Sequence, residues 1–170
     1  NYGSAGNGSA GHLAMEYLKM ASDTFILHVP YRGTGPQLTD LLAGRLDAAS
    51  VGAPAVMQFI KTGKLRCIAT GTTQRLAQLP NVPTFKELGL EPVNRMAYYG
   101  IYGPKGLSKE VVDKVNAAVR KALEDPAVKK RIEDTGSLII ANTPEQFTAQ
   151  IKAEFEVYKK VVDTAKLKLD

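Results

Sequence analysis

The chain has 170 residues, 44% of them hydrophobic, which supports a packed domain core and excludes an intrinsically disordered segment. Bases exceed acids by five but are interleaved with them along the chain, so the charge gives a mild attraction for anions and not the clustered basic face of a nucleic-acid binder. The single cysteine, Cys67, lies in the apolar run Leu65-Arg66-Cys67-Ile68-Ala69 and excludes an intrachain disulfide or a thiolate metal cluster, and no run approaches the roughly 18 apolar residues of a membrane span.

In chain order, short β-type runs alternate with helical patterns, the sequence form of βαβ units and a largely parallel sheet. Tyr2-Gly3-Ser4 leads through a glycine-rich turn to a helix over His12 to Ala21, with Leu13, Tyr17 and Met20 on one face. A strand over Phe25 to Val29 follows, then the turn Pro30 to Gly35 and a helix from Pro36 toward Gly44. The plan repeats with a strand over Leu46 to Ser50, a turn at Gly52 to Pro54 and a helix over Ala55 to Thr62, and Leu65 to Thr70 supplies a further strand. Leu79 to Pro92 reads as a connector with one short helical piece around Phe85 to Leu88. The extended aromatic segment Met96 to Tyr102 ends at Gly103-Pro104.

The last third changes to long helices. Ser108 caps one, Asp125-Pro126 opens the next and Gly136 is placed to end it. Ser137 to Ala141 reads as one strand, and Thr143-Pro144-Glu145-Gln146 combines an N-cap, an N1 proline and a capping box before a helix to about Ala165. The spacing of Val111, Val115, Val119 and Leu123, and of Phe147, Ile151, Phe155 and Tyr158, gives each long helix an apolar stripe that needs a partner surface.

Gly6-Asn7-Gly8-Ser9-Ala10-Gly11 matches G-x-G-x-x-G between a strand and a helix, a pattern that serves dinucleotide binding when an acid ends the next strand. Here that strand runs into Pro30-Tyr31-Arg32, and Asp23 lies on the wrong end. The glycines leave two readings open: a plain tight turn, or a helix N-terminus whose N–H groups hold an anion, carboxylate or phosphate. Ser9, His12 and Glu16 lack the G-x-S-x-G elbow of a hydrolase, so His12 and His28 read as packing or capping residues, and two scattered histidines make no metal site. Arg32 has the geometry to pair with a carboxylate, or to stand as a solvated surface arginine. In a parallel sheet the turns after all three strands share the carboxyl edge, where open α/β sheets bind ligands.

Several segments in order resemble one family. Tyr2 to Leu13, then His28-Val29-Pro30-Tyr31-Arg32-Gly33-Thr34-Gly35-Pro36, Gly63-Lys64-Leu65-Arg66, Leu79 to Thr84 and Tyr99 to Pro104 look like the Bug/TctC-type receptors of tripartite tricarboxylate transporters. The resemblance implies an α/β, type II-like periplasmic-binding clamshell: residues 1–97 as the second ligand-binding lobe with a parallel-rich sheet, and residues 98–170 as the crossover and C-terminal helices of an incomplete first lobe. It also implies a periplasmic receptor, its signal peptide removed, that binds a small organic carboxylate and presents it to the membrane subunits of the transporter, without catalysis, cofactor or nucleic acid. Carried over position by position, Ser4, Gly6, Asn7, Gly8 and Ser9 hold the carboxylate. Tyr31, Gly33, Thr34 and Gly35, then Ser50, Gly52 and Ala53, line the rest of the cleft. Where many relatives have Asp-Asn after the third strand, this chain has Val51-Gly52, which favours a ligand without an ammonium group.

Two other classes compete: an enzyme handling a phosphorylated or nucleotide substrate at the Gly6 to Gly11 loop, which needs a base or metal ligands the pattern does not supply, and an effector-binding domain of a transcription regulator. The abrupt start at Asn1-Tyr2-Gly3 and the unmatched helical stripes give a further expectation, a clipped chain that dimerises or pairs with a missing N-terminal part.

Overall fold

In the computed structural model, residues 1–168 are described. Each glycine-rich turn follows a strand and opens a helix, the arrangement that parallel pairing demands, because parallel neighbours need a crossover. Strand β1 (Tyr2–Ser4) lies between β2 (His28–Pro30) and β3 (Ala48–Ala49), both parallel to it, with Tyr2 in register with His28 and Ala48. Helix α1 (Ala10–Ser22) crosses from β1 to β2, α2 (Thr34–Leu42) from β2 to β3, and α3 (Ala53–Lys61) follows β3.

The two-residue period of β1 sends Tyr2 and Ser4 to one face of the sheet and Gly3 to the other. On the first face the buried Tyr2 hydroxyl donates to Glu16 of α1. On the second, a Cβ at position 3 would fall 2.4 Å from Leu46 and 3.2 Å from Gln37, so the missing side chain is what admits α2. Gln37, 1% exposed, donates its side-chain N–H to the Gly3 carbonyl at 2.8 Å and fixes that packing with a buried, satisfied polar contact.

The strands are shorter than the sequence predicts. Phe25 and Leu27 are 85% and 60% exposed, and pairing begins only at His28. The run Leu46 to Ser50 contracts to two residues, and Leu65 to Thr70 contributes a single parallel bridge, Thr70 to Thr84. Residues 137–141 form no strand: among the described residues they have no ladder partner, and Ala141 turns to a φ of 49°. β-propensity without a neighbouring edge leaves backbone groups unpaired, so these apolar runs stay irregular. The buried residues of helix α1 are His12, Met15 and Glu16, so the face that carries Leu13, Tyr17 and Met20 is not the most buried one. The sheet-facing side of α1 is partly polar because Tyr2 and His28 offer polar partners there.

The chain divides into two compact units, Asn1–Ala97 with the residues from Tyr158 onward, and Tyr98–Val157. Within the first, a smaller cluster gathers the buried Thr72, Leu76, Thr84 and Val93, and Gly71 lets its backbone approach Arg95. The 85–88 stretch is a turn and not a helix; Thr84 and Glu87 cap one another across it, and Arg75 pairs with Glu87.

The second unit holds α4 (Lys109–Glu124), α5 (Pro126–Glu133) and the start of α6 (Pro144–Ala165). All three helices have closed N-termini. Ser108 accepts from the N–H of Val111, with Glu110 in the first turn of α4. One carboxylate oxygen of Asp125 accepts from Ala127 and Val128 at 2.8 and 3.1 Å. Thr143 and Gln146 form the expected capping box on α6. Gly100 passes under the Phe147 ring, which also meets Tyr98 edge-on at 5.6 Å.

Candidate functional site

The turns after β1, β2 and β3 lie at one edge of the sheet, because parallel strands end together. Backbone contacts join them. Tyr31 N–H donates to Ser4 and Gly33 N–H to Ala5, both at 3.0 Å, tying the second turn to the first. A Cβ on Gly11 would lie 2.4 Å from the Ser50 carbonyl oxygen, so glycine at 11 seats the start of α1 directly on the third turn. Gly6, at a φ of 134°, passes close to the Tyr31 carbonyl.

The first turn uses many of its own amides. Gly6 N–H donates to Ser4 Oγ at 3.2 Å, Gly8 N–H to His12 Nδ1 at 3.0 Å and Ser9 N–H to the Gly6 carbonyl at 3.2 Å, while Ser9 Oγ caps α1 through His12 N–H. Among the described residues, the N–H groups of Asn7, Ala10 and Gly11 meet no acceptor. Helices α2 and α3 start behind Gly33 and Gly52, neither of which supplies a side-chain cap. Among the described residues, that leaves the amides of Thr34, Gly35 and Ala53 open at the same edge. No acid stands in the first turn of α1, α2 or α3. Three helix N-termini therefore add partial positive charge at one place without an internal carboxylate to offset it.

The structure brings Ser4, Gly6, Asn7, Gly8, Ser9, Tyr31, Gly33, Thr34, Gly35, Ser50, Gly52 and Ala53 to this strand-end region. Their roles differ. Tyr31 donates its hydroxyl to Asp40 at 2.8 Å, and Arg45 pairs with the same carboxylate; the hydrogen bond to Asp40 raises the Tyr31 phenol, and those from Arg45 and Tyr31 lower the Asp40 carboxyl. Ser4 is fully buried and points beneath the turn, 2.7 Å from His28 Nε2. Arg32 is exposed.

Below the first turn lies a polar cluster in which His12 and His28 pack and cap as the sequence suggests, while their grouping with Tyr2, Glu16 and Lys19 was not foreseen. The His12 and His28 rings stack with centroids 4.0 Å apart, and His28 also stacks on Tyr2 at 4.9 Å. Glu16 accepts from Tyr2 at 2.7 Å and pairs with Lys19 at 2.8 Å. Burial lowers both imidazoles below their ordinary value of 6.5, and the neighbouring His12 acts on His28 in the same direction. Burial also raises the Tyr2 phenol, and the bond to Glu16 raises it further. For Glu16, burial alone acts upward, but hydrogen bonds from Lys19 and Tyr2 bring the carboxyl below its ordinary range. The i, i+4 spacing of His12 and Glu16 was the available signal, since it places both on one helix face. Among the described residues, no group of three or more side chains is arranged to hold a metal ion.

Comparison with known proteins bears directly on this arrangement. The sequence matches the tripartite tricarboxylate transporter family receptor, TctC, over residues 1–167. A UPF0065 protein of Agrobacterium vitis is 34% identical over 167 residues, 96% of this chain and 48% of the relative. Protein BugT of Bordetella pertussis is 31% identical, covering 95% of this chain and 50% of BugT. The chain thus spans about half the length of these curated relatives. A solved periplasmic transporter superposes on the whole chain with a TM-score of 0.91 at 38% identity, over 57% of its own length. R. palustris Rpa4515 with adipate gives a TM-score of 0.87 at 28% identity, covering 98% of this chain and 56% of that one. MatC from Rhodopseudomonas palustris with bound malate gives 0.82 at 30%, covering 95% and 56%. The fold is that of the periplasmic binding proteins, an α/β arrangement around a parallel sheet, and the matched proteins are receptors and not enzymes. A match that runs through every one of the three strand-end turns and on through the helices after them makes this chain a member of the tripartite tricarboxylate transporter receptor family, TctC.

Proposed function

We propose that the chain is the carboxylate-holding part of a periplasmic solute receptor that presents a small organic acid to the membrane subunits of a tripartite tricarboxylate-type transporter. The observation that carries the reading is the set of open amides on α1, α2 and α3 at one sheet edge, with no acid in their first turns. Such amides bind a carboxylate as they bind phosphate. Two structurally similar receptors were solved with dicarboxylates, adipate and malate.

In this reading the strand-end residues divide the work. Asn7, Ala10, Gly11, Thr34, Gly35 and Ala53 present N–H donors. Ser4, Gly6, Gly8 and Ser9 shape the first turn, Tyr31 and Gly33 the second, and Ser50 and Gly52 the third. Val51-Gly52 offers no side chain for an ammonium group, which fits an acid without one. Nothing in the site activates a nucleophile, so the acid leaves unchanged.

Isothermal titration of the protein as the cell produces it, with malate and adipate, tests this reading, followed by a structure of the complex. The expected result is a carboxylate within hydrogen-bonding distance of at least two of the three helix starts. A carboxylate bound elsewhere, with these turns touching only protein, would sink it.

A further inference from the structure

We propose that His12 is a positioning residue for the ligand-holding turn, acting as a neutral acceptor whose protonation releases Gly8 and weakens carboxylate binding. The inference rests on the carboxylate reading above and goes beyond it, because it assigns His12 a role through its contacts to the turn at Gly8 and Ser9.

The hydrogen-bond inventory fixes the protonation states. A backbone N–H only donates, so the 3.0 Å contact from Gly8 requires a bare lone pair on His12 Nδ1 and places the ring proton on Nε2. The same residue's own N–H closes on Ser9 Oγ at 3.3 Å. His12 therefore clamps the turn at both Gly8 and Ser9.

Ser4 makes the matching clamp on Gly6. Its Oγ lies 3.2 Å from Gly6 N, 3.1 Å from Gly6 O and 2.7 Å from His28 Nε2. These contacts are mutually satisfied when His28 donates from Nε2, Gly6 N–H donates to Oγ, and Oγ–H donates to the Gly6 carbonyl. Two neutral, stacked imidazoles thus hold Gly6, Gly8 and Ser9 in place, and leave Asn7 at the crest of the turn.

A proton arriving at His12 Nδ1 would set one N–H against another, and the Gly8 contact must open. It would also bring charge within 4.0 Å of the stacked His28 ring. The other groups packed around the pair are the Tyr2 phenol from β1 and, from α1 itself, Glu16 and Lys19, which neutralise each other. The 91–93 segment also packs on α1, and its Glu91 is exposed and paired with Lys86. Burial lowers the affinity of both imidazoles for protons. The sign follows: their contribution to folding is fully present above the ordinary value of 6.5 and is lost as pH falls through the lowered native values.

The experiment has two arms. In the first, nitrogen-15 spectra of the wild-type protein look for the scalar coupling across the Gly8 N–H to His12 Nδ1 hydrogen bond, at about pH 7.5 and again at about pH 5. Coupling present at the first and gone at the second is expected; no coupling at the higher pH overturns the proposal. In the second, affinities for malate and adipate are compared between wild type, His12→Ala and His12→Asn across the same range. Asparagine keeps an acceptor near the Nδ1 position but cannot take up a proton. His12→Ala should lose about tenfold in affinity at the higher pH, and His12→Asn should recover part of it. Wild type should weaken on acidification about tenfold more than His12→Asn, a ratio in which titration of the acid itself cancels. Superimposable pH profiles for wild type and His12→Asn overturn the proposal. If neither acid binds wild type at the higher pH, the carboxylate reading is what has failed, and the first arm alone then decides the role of His12.

Discussion

The two units treat the same chemical problem in opposite ways. Every α-helix begins with N–H groups that no earlier turn can satisfy. In the unit from Tyr98 to Val157, the helices close their own ends: Ser108 on α4, the Asp125 carboxylate on α5, and Thr143 with Gln146 on α6. In the unit that contains the sheet, α2 and α3 begin behind bare glycines, α1 is only partly capped, and no acid stands in any of the first turns. The closed ends show what the open ones lack. Asp125 accepts from two consecutive helix amides through one carboxylate oxygen, and backbone N–H contact at the start of α6 holds the Glu145 carboxyl below its usual range. A carboxylate at a helix start is thus an arrangement this chain already makes internally, and the sheet unit leaves the equivalent positions open, where we propose that the ligand's carboxylate sits.

That contrast can be broken at its hinge. Gly11→Ala should lower stability in chemical denaturation by about 1–3 kcal/mol, because its Cβ would drive into the Ser50 carbonyl and separate the first and third turns. Helix propensity acts the other way, since alanine in a helix is favoured over glycine by about 1 kcal/mol, so a stabilised variant would refute the packing argument. Next in size, Thr34→Asp or Ala53→Asp supplies an open end with its own carboxylate. Affinity for malate or adipate should drop about tenfold or more in calorimetry while stability holds or rises by about 0.3–1 kcal/mol. An unchanged affinity would mean that these ends do not face the ligand.

The closed ends give the smaller effects. Asp125→Ala strips two N–H groups of their acceptor and should cost about 1 kcal/mol in denaturant titrations, with no change in ligand affinity. Glu110→Gln removes one exposed charge from the first turn of α4 and should cost about 0.3–0.5 kcal/mol, a loss that salt erases. A fall in affinity from either substitution would blur the division between the two sets of helices.

How much of this was legible in the sequence depended on whether the signal was local. Helix caps are local, and Ser108, Asp125-Pro126 and Thr143-Pro144-Glu145-Gln146 mark helix starts that the structure reproduces, as does the end of the last helix at Ala165. Strands are not local. Leu65 to Thr70 and Ser137 to Ala141 have strand-like composition, but composition cannot tell a paired edge from an unpaired one, and both runs are irregular apart from one bridge at Thr70. The candidate site divides the same way. Its glycines announced the turns, whereas the partners of Gly8 and Ser4 are side chains on α1 and β2 that meet only once the sheet has formed.

The central strand of the sheet, β1, finds its neighbours far along the chain, with Tyr2 in register with His28 and Ala48. Any segment that assembles all three turns must run from β1 past β3, so the turns meet only when distant segments dock. A ligand held by the three turns would therefore couple its binding to their assembly. A ligand that binds only the folded form adds about 2.7 kcal/mol to it at a hundred times its Kd. Under the proposed carboxylate binding, the melting temperature would be a concentration-dependent gauge of which acid the protein prefers.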